Sequence, residues 1–306
     1  MREKLDQIVE AVGQVLYGKE VQIRQALTCL ITGGHLLIED LPGMGKTTLS
    51  HALAKVLGLD YQRIQFTSDM LPADILGASI FDSANGQFIF HKGPVFAQLI
   101  LADEINRTTP KTQSALLEAM EERQVTVEGR SYDLPQPFFV IATQNPISQY
   151  GTFPLPESQL DRFLMRIHLG YPSLEAEREL LLGGDARKKI PDLNEQLELI
   201  ELDQIRGECA QVSVSGSVLD YIQRLVKYSR ESTEFEYGIS PRGSLALLNT
   251  AKTWAYISGR EYVIPEDIQS LLGPVFAHRL RSSEDYMDQS GTALVRKLLS
   301  EVDVVG

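Results

Sequence analysis

The sequence predicts a two-part α/β fold, in which a parallel sheet covered by helices is followed by an all-helical domain. In the first half, short apolar strand-like runs alternate with helical stretches, which is the pattern of a parallel sheet with helices on both faces. From about residue 172 onward, apolar residues recur at helical spacing and strand signals stop. The 306 residues would then divide into a sheet-containing part, residues 1–171, and a helical part, residues 172–306.

Apolar periodicity predicts the elements of the first half in order. The predicted helices are residues 5–15, 21–30 and 47–57, and the predicted strands are residues 35–39, 98–102 and 138–142. Two hairpins interrupt this alternation. Residues 79–91 hold two apolar runs around Asn85-Gly86, a strong hairpin turn signal. Residues 125–134 predict a second hairpin that turns at Glu128-Gly129-Arg130.

Composition and charge exclude several classes of protein. A chain that is 43% hydrophobic and 23% charged is neither disordered nor fibrous. Its net charge of −12 disfavours wholesale electrostatic binding of nucleic acid. The N-terminus lacks the apolar core of a signal peptide and residues 134–156 are broken by prolines, so no membrane insertion is expected. Cys29 and Cys209 match no metal or disulfide spacing, which favours a cytoplasmic location.

A glycine-rich loop after the first strand predicts a phosphate-binding site. Backbone N–H groups of such a loop, together with the N-terminus of the helix that follows, form an anion site. Lys46 would contact the β- and γ-phosphates of a nucleotide, and the Thr47 hydroxyl would bind Mg²⁺. The generic motif has glycine where this chain has Asp40. The residues assigned to the loop are Asp40, Leu41, Pro42, Gly43, Met44, Gly45, Lys46, Thr47 and Thr48.

A second acidic motif supports this interpretation. The apolar strand at residues 98–102 leads directly into Asp103 and Glu104. In ATPases with a phosphate loop, a carboxylate at this place holds Mg²⁺ through water and a second one polarises the attacking water. We therefore expect Asp103 to serve the metal and Glu104 to activate water.

Four longer motifs resemble the MoxR group of AAA+ ATPases. They are Leu101–Arg107 (LADEINR), Ser114–Glu122 (SALLEAMEE), Ile141–Pro146 (IATQNP) and Leu155–Phe163 (LPESQLDRF). The resemblance covers nearly the whole chain. It implies a P-loop AAA+ nucleotide-binding core with a C-terminal helical lid domain, and members of the group commonly carry Glu-Asp-x-Pro-Gly at the phosphate loop, as here at Asp40.

The resemblance also implies roles for single residues. Asn145 matches sensor 1, which orients the lytic water together with Glu104. Arg162 resembles the arginine finger, which would act in the site of the neighbouring subunit. Arg242 resembles sensor 2 and would reach from the lid to the nucleotide. The segment that would pack against adenine is Leu16, Tyr17 and Gly18.

Residue types alone leave blander roles open for three of these positions. Asn145 could be an ordinary turn residue before proline. Arg162 could form a surface ion pair with Asp161 or Glu157, and Arg242 could be an exposed arginine at a helix start. Arg107 is a further basic candidate near the expected subunit interface.

The resemblance implies an ATP- and Mg²⁺-dependent motor, assembled as a homo-oligomeric, hexameric ring, that remodels or matures partner proteins. Such partners frequently carry a von Willebrand A domain, and the work often assists metal or cofactor insertion. A nucleic-acid motor is one alternative, because ring helicases share the hairpin-bearing ATPase core; the acidic charge opposes it. A nucleotide-gated scaffold is another, and the carboxylate of Glu104 opposes it because a pure binder needs no water-activating group.

Overall fold

A computed structural model of the chain describes residues 1–145, 151–183, 186–283 and 290–305. The helices are α1 Arg2–Gly13, α2 Glu20–Ile31, α3 Lys46–Val56, α4 Pro72–Leu76, α5 Pro110–Glu122, α6 Glu157–Leu160, α7 Leu174–Gly183, α8 Leu199–Ala210, α9 Gly216–Glu231, α10 Pro241–Ile257, α11 Pro265–Phe276 and α12 Gly291–Glu301. The strands are β1 Leu36–Glu39, β2 Tyr61–Gln65, β3 Gly77–Asp82, β4 Gln87–Lys92, β5 Leu99–Asp103, β6 Gln124–Val127, β7 Arg130–Asp133, β8 Phe139–Gln144, β9 Met165–Ile167, β10 Phe235–Tyr237 and β11 Arg281–Ser282.

A parallel sheet of five strands, in the order β2-β5-β8-β1-β9, forms the centre of the first half. The three predicted strands are confirmed as β1, β5 and β8, which occupy the middle of the sheet. The edge strands β2 and β9 were not predicted from the sequence. The strand β2 reads Tyr-Gln-Arg-Ile-Gln and buries only Ile64 fully, so it lacks an apolar run. The strand β9 has three residues, too few for a periodic signal.

Apolar side chains cover both faces of this sheet. Because side chains alternate along a strand, Leu36 and Ile38 point to one face and Leu37 points to the other. The helices α1, α2 and α3 cover the first face, and α5 covers the second. The cluster on the first face continues into the second half of the chain through residues such as Leu247 and Phe276. The two halves therefore share one apolar core.

Both predicted hairpins are confirmed. Strands β3 and β4 pair in antiparallel fashion around Gly86, and β6 and β7 pair around Glu128 and Gly129. The turn residues Gly86, Glu128 and Gly129 have positive φ angles of 65°, 51° and 78°. Glycine at two of these three positions avoids the steric cost of that conformation.

The second half is helical, but it is not purely so. Strands β10 and β11 form a short antiparallel pair that carries no sequence signal, because β11 has only two residues. In the described ranges, no helix is both long and apolar enough to cross a membrane. Cys29 and Cys209 are free and buried. Burial raises the pKa of the Cys209 thiol to about 11.

Gly34 provides a close approach that the fold depends on. A Cβ atom there would lie 2.3 Å from the Cβ and Cδ2 atoms of Leu164, whereas a Cβ at Gly207, inside α8, would meet no atom within 4 Å. We predict that Gly34→Ala lowers the free energy of unfolding by about 1–3 kcal/mol through overpacking. The matched control Gly207→Ala should raise it by about 0.5–1 kcal/mol through better helix propensity. Urea unfolding of both variants tests this, and equal midpoints for Gly34→Ala and the wild type would contradict the close approach.

Candidate active site

The phosphate loop joins β1 to α3 at the carboxyl end of the sheet. Gly43 and Gly45 have positive φ angles of 86° and 93°, which lets the backbone turn sharply before α3 begins at Lys46. The loop opens into a cavity of about 500 Å³. Its lining residues are Pro42, Gly43, Gly45, Lys46, Thr47, Thr48, Arg63, Gln65, Asp103, Glu104, Asn145 and Arg187. The sequence-predicted residues Lys46, Thr47, Asp103, Glu104 and Asn145 thus meet in one place.

The ammonium of Lys46 lies in this cavity among oxygen atoms. It donates hydrogen bonds to the Asp40 carbonyl at 2.6 Å and to Asn145 Oδ1 at 3.1 Å. Burial lowers the pKa of Lys46, and the charges of Asp103, Asp40 and Glu104 oppose that shift. With the Leu41 carbonyl at 3.4 Å, the ammonium has three acceptors, all neutral, and an anionic ligand can replace them with a stronger, charge-assisted contact.

Thr143, on β8, connects the two acidic residues that follow β5. Its hydroxyl donates to Asp103 Oδ1 at 2.6 Å and accepts from the backbone N–H of Glu104 at 2.8 Å. Glu104 has a positive φ of 58°, an uncommon conformation for a residue with a side chain. Backbone strain of this kind concentrates at functional sites.

Three donors surround the Glu104 carboxylate. Asn145 Nδ2 donates to Oε1 at 2.9 Å, while Gln65 Nε2 and Arg107 Nη1 donate to Oε2 at 3.2 and 2.9 Å. An ionised carboxylate has about four acceptor positions. Among the described residues Oε1 accepts only the bond from Asn145, so a water molecule at its second acceptor position would lie near the Asn145 amide. Pro146, which ends the sequence-predicted Ile141–Pro146 motif, lies outside the described residues.

The cavity contains a cation that the sequence analysis missed. Arg63 Nη2 and Nε donate to Asp103 Oδ2 at 2.6 and 3.2 Å. Arg63 and Gln65 lie two residues apart on β2, so both side chains point to the same face, next to β5. The sequence signal for this pair was the alternation of polar residues in the run Tyr61–Gln65. That alternation points to the site only when β2 is known to lie beside β5. Thr143 gave no such signal.

The segment expected near adenine divides between two places. Leu16 and Tyr17 line a smaller cavity of about 200 Å³ that adjoins the phosphate loop. A Cβ at Gly45 would lie 2.6 Å from Leu16 Cδ1, so the loop and this segment are in close contact. Gly18 packs instead against Ala176 of α7, where a Cβ would come within 3.0 Å.

Asp40 has a different place from the one expected. Its carboxylate accepts the backbone N–H groups of Leu169 and, at 3.2 Å, Gly170, and so faces the segment that leads out of β9 rather than the cavity. Only its carbonyl oxygen reaches the site, through the Lys46 ammonium. Met44 lines the smaller cavity, and the Leu41 side chain is exposed.

Arg162 and Arg242 lie together, at the opposite end of the sheet from the phosphate loop. Both line a cavity of about 290 Å³ beside residues 33–35, which precede β1, and Leu164, which precedes β9. Arg242 Nη2 donates to both carboxylate oxygens of Glu121, at 3.1 and 2.9 Å. In this arrangement Arg242 does not reach the phosphate loop of its own chain, and its expected role as sensor 2 stays a prediction. The helix α10 packs against α2 on this side, which carries Arg242 away from the loop.

The proposed ion-pair partners of Arg162 are engaged elsewhere. Asp161 pairs with Arg279 at 2.6 Å, and Glu157 pairs with Arg281 at 2.9 Å. Within the described ranges, no carboxylate lies at ion-pair distance from the Arg162 guanidinium. The described residues therefore do not contain the alternative considered for Arg162, a surface ion pair with Asp161 or Glu157.

The anchoring of Asp40 leads to a stability prediction. Asp40→Ala would leave the N–H groups of Leu169 and Gly170 without their acceptor, so we expect the free energy of unfolding to fall by about 1–3 kcal/mol. The carboxylate of the exposed Asp60 has no hydrogen-bond partner among the described residues, so Asp60→Ala is the matched control and should change the free energy of unfolding by less than about 0.5 kcal/mol. Urea unfolding measures both. Equal losses in the two variants would show that the carboxylate of Asp40 is not an anchor.

Comparisons with known proteins agree with this geometry. A family profile described as the ATPase family associated with various cellular activities (AAA) matches residues 35–165, and a profile for the AAA lid domain matches residues 227–298. The chain is 43% identical to the uncharacterized protein YeaC of Bacillus subtilis, over 98% of this chain and 94% of that protein. It is 39% identical to Chaperone MoxR1 of Mycobacterium tuberculosis, over 90% of this chain and 75% of that protein. The crystal structure of a candidate ATPase from Cytophaga hutchinsonii superposes with a TM-score of 0.87 and 38% identity, and covers 99% of this chain and 95% of that one. The chain belongs to the MoxR family of AAA+ ATPases and is an ATP-hydrolysing P-loop enzyme.

Proposed function

We propose that this chain is the subunit of a ring-shaped ATP-driven motor that remodels or matures partner proteins, and that each of its active sites is completed by the neighbouring subunit. One observation carries the proposal. The candidate water-activating group and the candidate finger, Glu104 and Arg162, lie at opposite ends of one sheet. Strands of this length separate those ends by roughly 15 Å, which is beyond the reach of an arginine side chain.

Within the cavity, each group has a role that its contacts support. Lys46 binds the β- and γ-phosphates by exchanging its neutral acceptors for phosphate oxygens. Glu104 accepts the proton of the attacking water, and Asn145 orients that water from its place beside Oε1. Leu16 and Tyr17 pack against adenine in the smaller cavity next to the loop.

The residues present also fit a magnesium ion. Asp103 Oδ2 already bonds a cation, the Arg63 guanidinium, so this oxygen faces a place where positive charge is favourable. Thr47 lines the same cavity. Among the described residues, no group of three His, Cys, Asp or Glu side chains forms a metal cage, which matches an ion held largely by phosphate and water. When bound with ATP, Mg²⁺ neutralises the charge of the phosphates.

Arg162 and Arg242 both serve the neighbouring subunit in this proposal. They lie in one cavity, and Glu121, which hydrogen-bonds to Arg242, has its pKa lowered by that bond and by the charges of both arginines. Two guanidinium groups so placed can bind the γ-phosphate that a neighbour presents. Arg242 therefore contributes as sensor 2 in trans, and exchanges Glu121 for phosphate.

The work done with ATP is proposed to be the remodelling of a partner protein, in a ring of six. The relative from Mycobacterium tuberculosis is named a chaperone. The hairpin of β3 and β4 supports such a role, because its exposed apolar side chains form a surface suited to a client polypeptide. Those side chains are Ile80, Phe81, Phe88 and Ile89. We assign residues 1–171 to the core and residues 172–306 to the lid. A von Willebrand A domain protein is the proposed partner.

Removing the Arg162 guanidinium tests whether it acts as a finger. We expect Arg162→Ala to bind nucleotide with unchanged affinity. It should hydrolyse ATP at least about 10³-fold more slowly than the wild type, because it lacks the charge that stabilises the transition state. Mixing it with the site-dead variant Glu104→Gln should restore hydrolysis, because Glu104→Gln subunits supply intact fingers to intact sites. A colorimetric phosphate assay on the separate and mixed variants measures this.

The exposed Arg296 of α12 provides the control, since Arg296→Ala should hydrolyse ATP at the wild-type rate. Wild-type hydrolysis by Arg162→Ala alone would refute the finger. Loss of hydrolysis without recovery on mixing would place the role of Arg162 within its own subunit.

The proposed client is tested by its effect on the ATPase rate. A purified von Willebrand A domain protein from the same organism should raise the ATPase rate, whereas single-stranded and duplex DNA at low salt should leave it unchanged. We expect Phe81→Ser with Phe88→Ser to abolish the stimulation while the unstimulated rate stays at its wild-type value. Stimulation by DNA instead would favour a nucleic-acid motor and would refute the client proposal.

A further inference from the structure

The four residues Asp161–Leu164 carry Arg162 between the end of α6 and the start of β9. They belong to no helix or strand, so the carbonyl groups on either side of Arg162 need partners from outside the segment. The direction in which Arg162 points depends on those partners.

Arg279, which follows α11, supplies them. Its Nε donates to Asp161 Oδ1 at 2.6 Å. Its Nη2 donates to the carbonyls of Phe163 at 2.8 Å and Asp161 at 3.4 Å, and its Nη1 donates to the carbonyl of Leu164 at 3.2 Å. One guanidinium therefore holds the chain on both sides of Arg162.

The contact joins the two parts of the protein. Arg279 lies within the range that matches the AAA lid domain, and Arg162 lies within the range that matches the AAA ATPase domain. A Cβ at Gly243 would lie 3.3 Å from Arg279 Cδ, so the same side chain also packs against the residue after Arg242. Arg279 therefore bonds the residues on either side of Arg162 and packs beside the residue that follows Arg242.

The chemistry of this contact favours a role in positioning the Arg162 segment over a role in stabilising the fold. The Arg279 side chain is only 5% exposed, and burial lowers its pKa while Asp161 opposes the shift. Removing a charge from water is costly, so a buried ion pair is weak evidence for stability. The rigid fork of a guanidinium does impose a geometry on the oxygens that it binds. A displacement of about 1 Å at a catalytic group can cost about 100-fold in rate.

We propose that Arg279 is a positioning residue of the lid that sets the direction of Arg162, so that its contribution to ATP hydrolysis is made in the neighbouring subunit's site. This inference rests on the proposed role of Arg162 in trans. The lid also reaches the nucleotide cavity of its own chain, through Arg187. The orientation of the lid therefore links what a subunit has bound to how it presents its finger to the next subunit.

The test uses the full-length protein and the same subunit-mixing assay. Arg279→Ala and the milder variant Asp161→Asn should each hydrolyse ATP about 10- to 100-fold more slowly than the wild type. Their affinity for a fluorescent ATP analogue should be unchanged, because their own cavities are intact. Adding Glu104→Gln subunits should restore hydrolysis, because those subunits bring correctly held fingers to sites that still have Glu104.

Arg281 provides a matched control. It lies two residues further on and forms surface ion pairs with Glu157 and Glu236. Arg281→Ala should therefore hydrolyse ATP at the wild-type rate. If Arg279→Ala does not fold, as judged by circular dichroism, Asp161→Asn carries the test.

Two results would overturn the proposal, and they are distinguishable. A defect in Arg279→Ala and Asp161→Asn that Glu104→Gln does not rescue, in an assay where it does rescue Arg162→Ala, would show that Arg279 acts only within its own subunit. The finger would then stand and the positioning role would fall. Wild-type hydrolysis by Arg162→Ala would remove the finger itself, and this proposal with it.

Discussion

The hydroxyl of Thr143 is the contact on which the geometry of the candidate site depends. It donates to a carboxylate oxygen of Asp103, the last residue of β5, and it accepts from the backbone N–H of Glu104, the residue that follows. Because the hydroxyl is fully buried, no water competes for either bond. Asp103 is thereby held towards Arg63, and Glu104 is held in its left-handed conformation, from which its carboxylate reaches Asn145. A threonine two residues before Asn145 therefore aligns three of the groups proposed to act on the nucleotide.

How much of this was visible in the sequence differs from residue to residue. The phosphate loop and the Asp103-Glu104 pair were predictable because their chemistry depends on residues close together in the chain. The inner strands were predictable because strands buried on both faces leave continuous apolar runs. The place of Arg242 was not, since it depends on which side of the sheet the helical part packs against. That packing is determined by the apolar core that the two halves share, so no local sequence pattern predicts it.

Asp40 illustrates the same limit on a smaller scale. Its position in the phosphate loop suggested contact with a nucleotide, yet its carboxylate bonds a backbone segment about 130 residues away in the chain. Together with Arg279 at the other end of the sheet, this contact attaches the chain leaving β9, and the helices that follow, to the core at two separate places. Neither attachment has a sequence signature, because each joins a side chain to groups 115 to 130 residues away in the chain, and most of these groups are backbone carbonyl or N–H groups.

The location of two cavities at opposite ends of the sheet restricts the symmetry of an assembly of this chain. In a two-fold pair, the same patch of surface meets itself, so each subunit would have to offer its cavity and its arginines from one patch. Here the cavity of Lys46 and the cavity of Arg162 lie at opposite ends of the sheet. Contacts that join one to the other are therefore heterologous, head to tail, and such contacts either close into a ring or continue as a filament. In a closed ring the number of complete sites equals the number of interfaces, and every subunit faces the same way round.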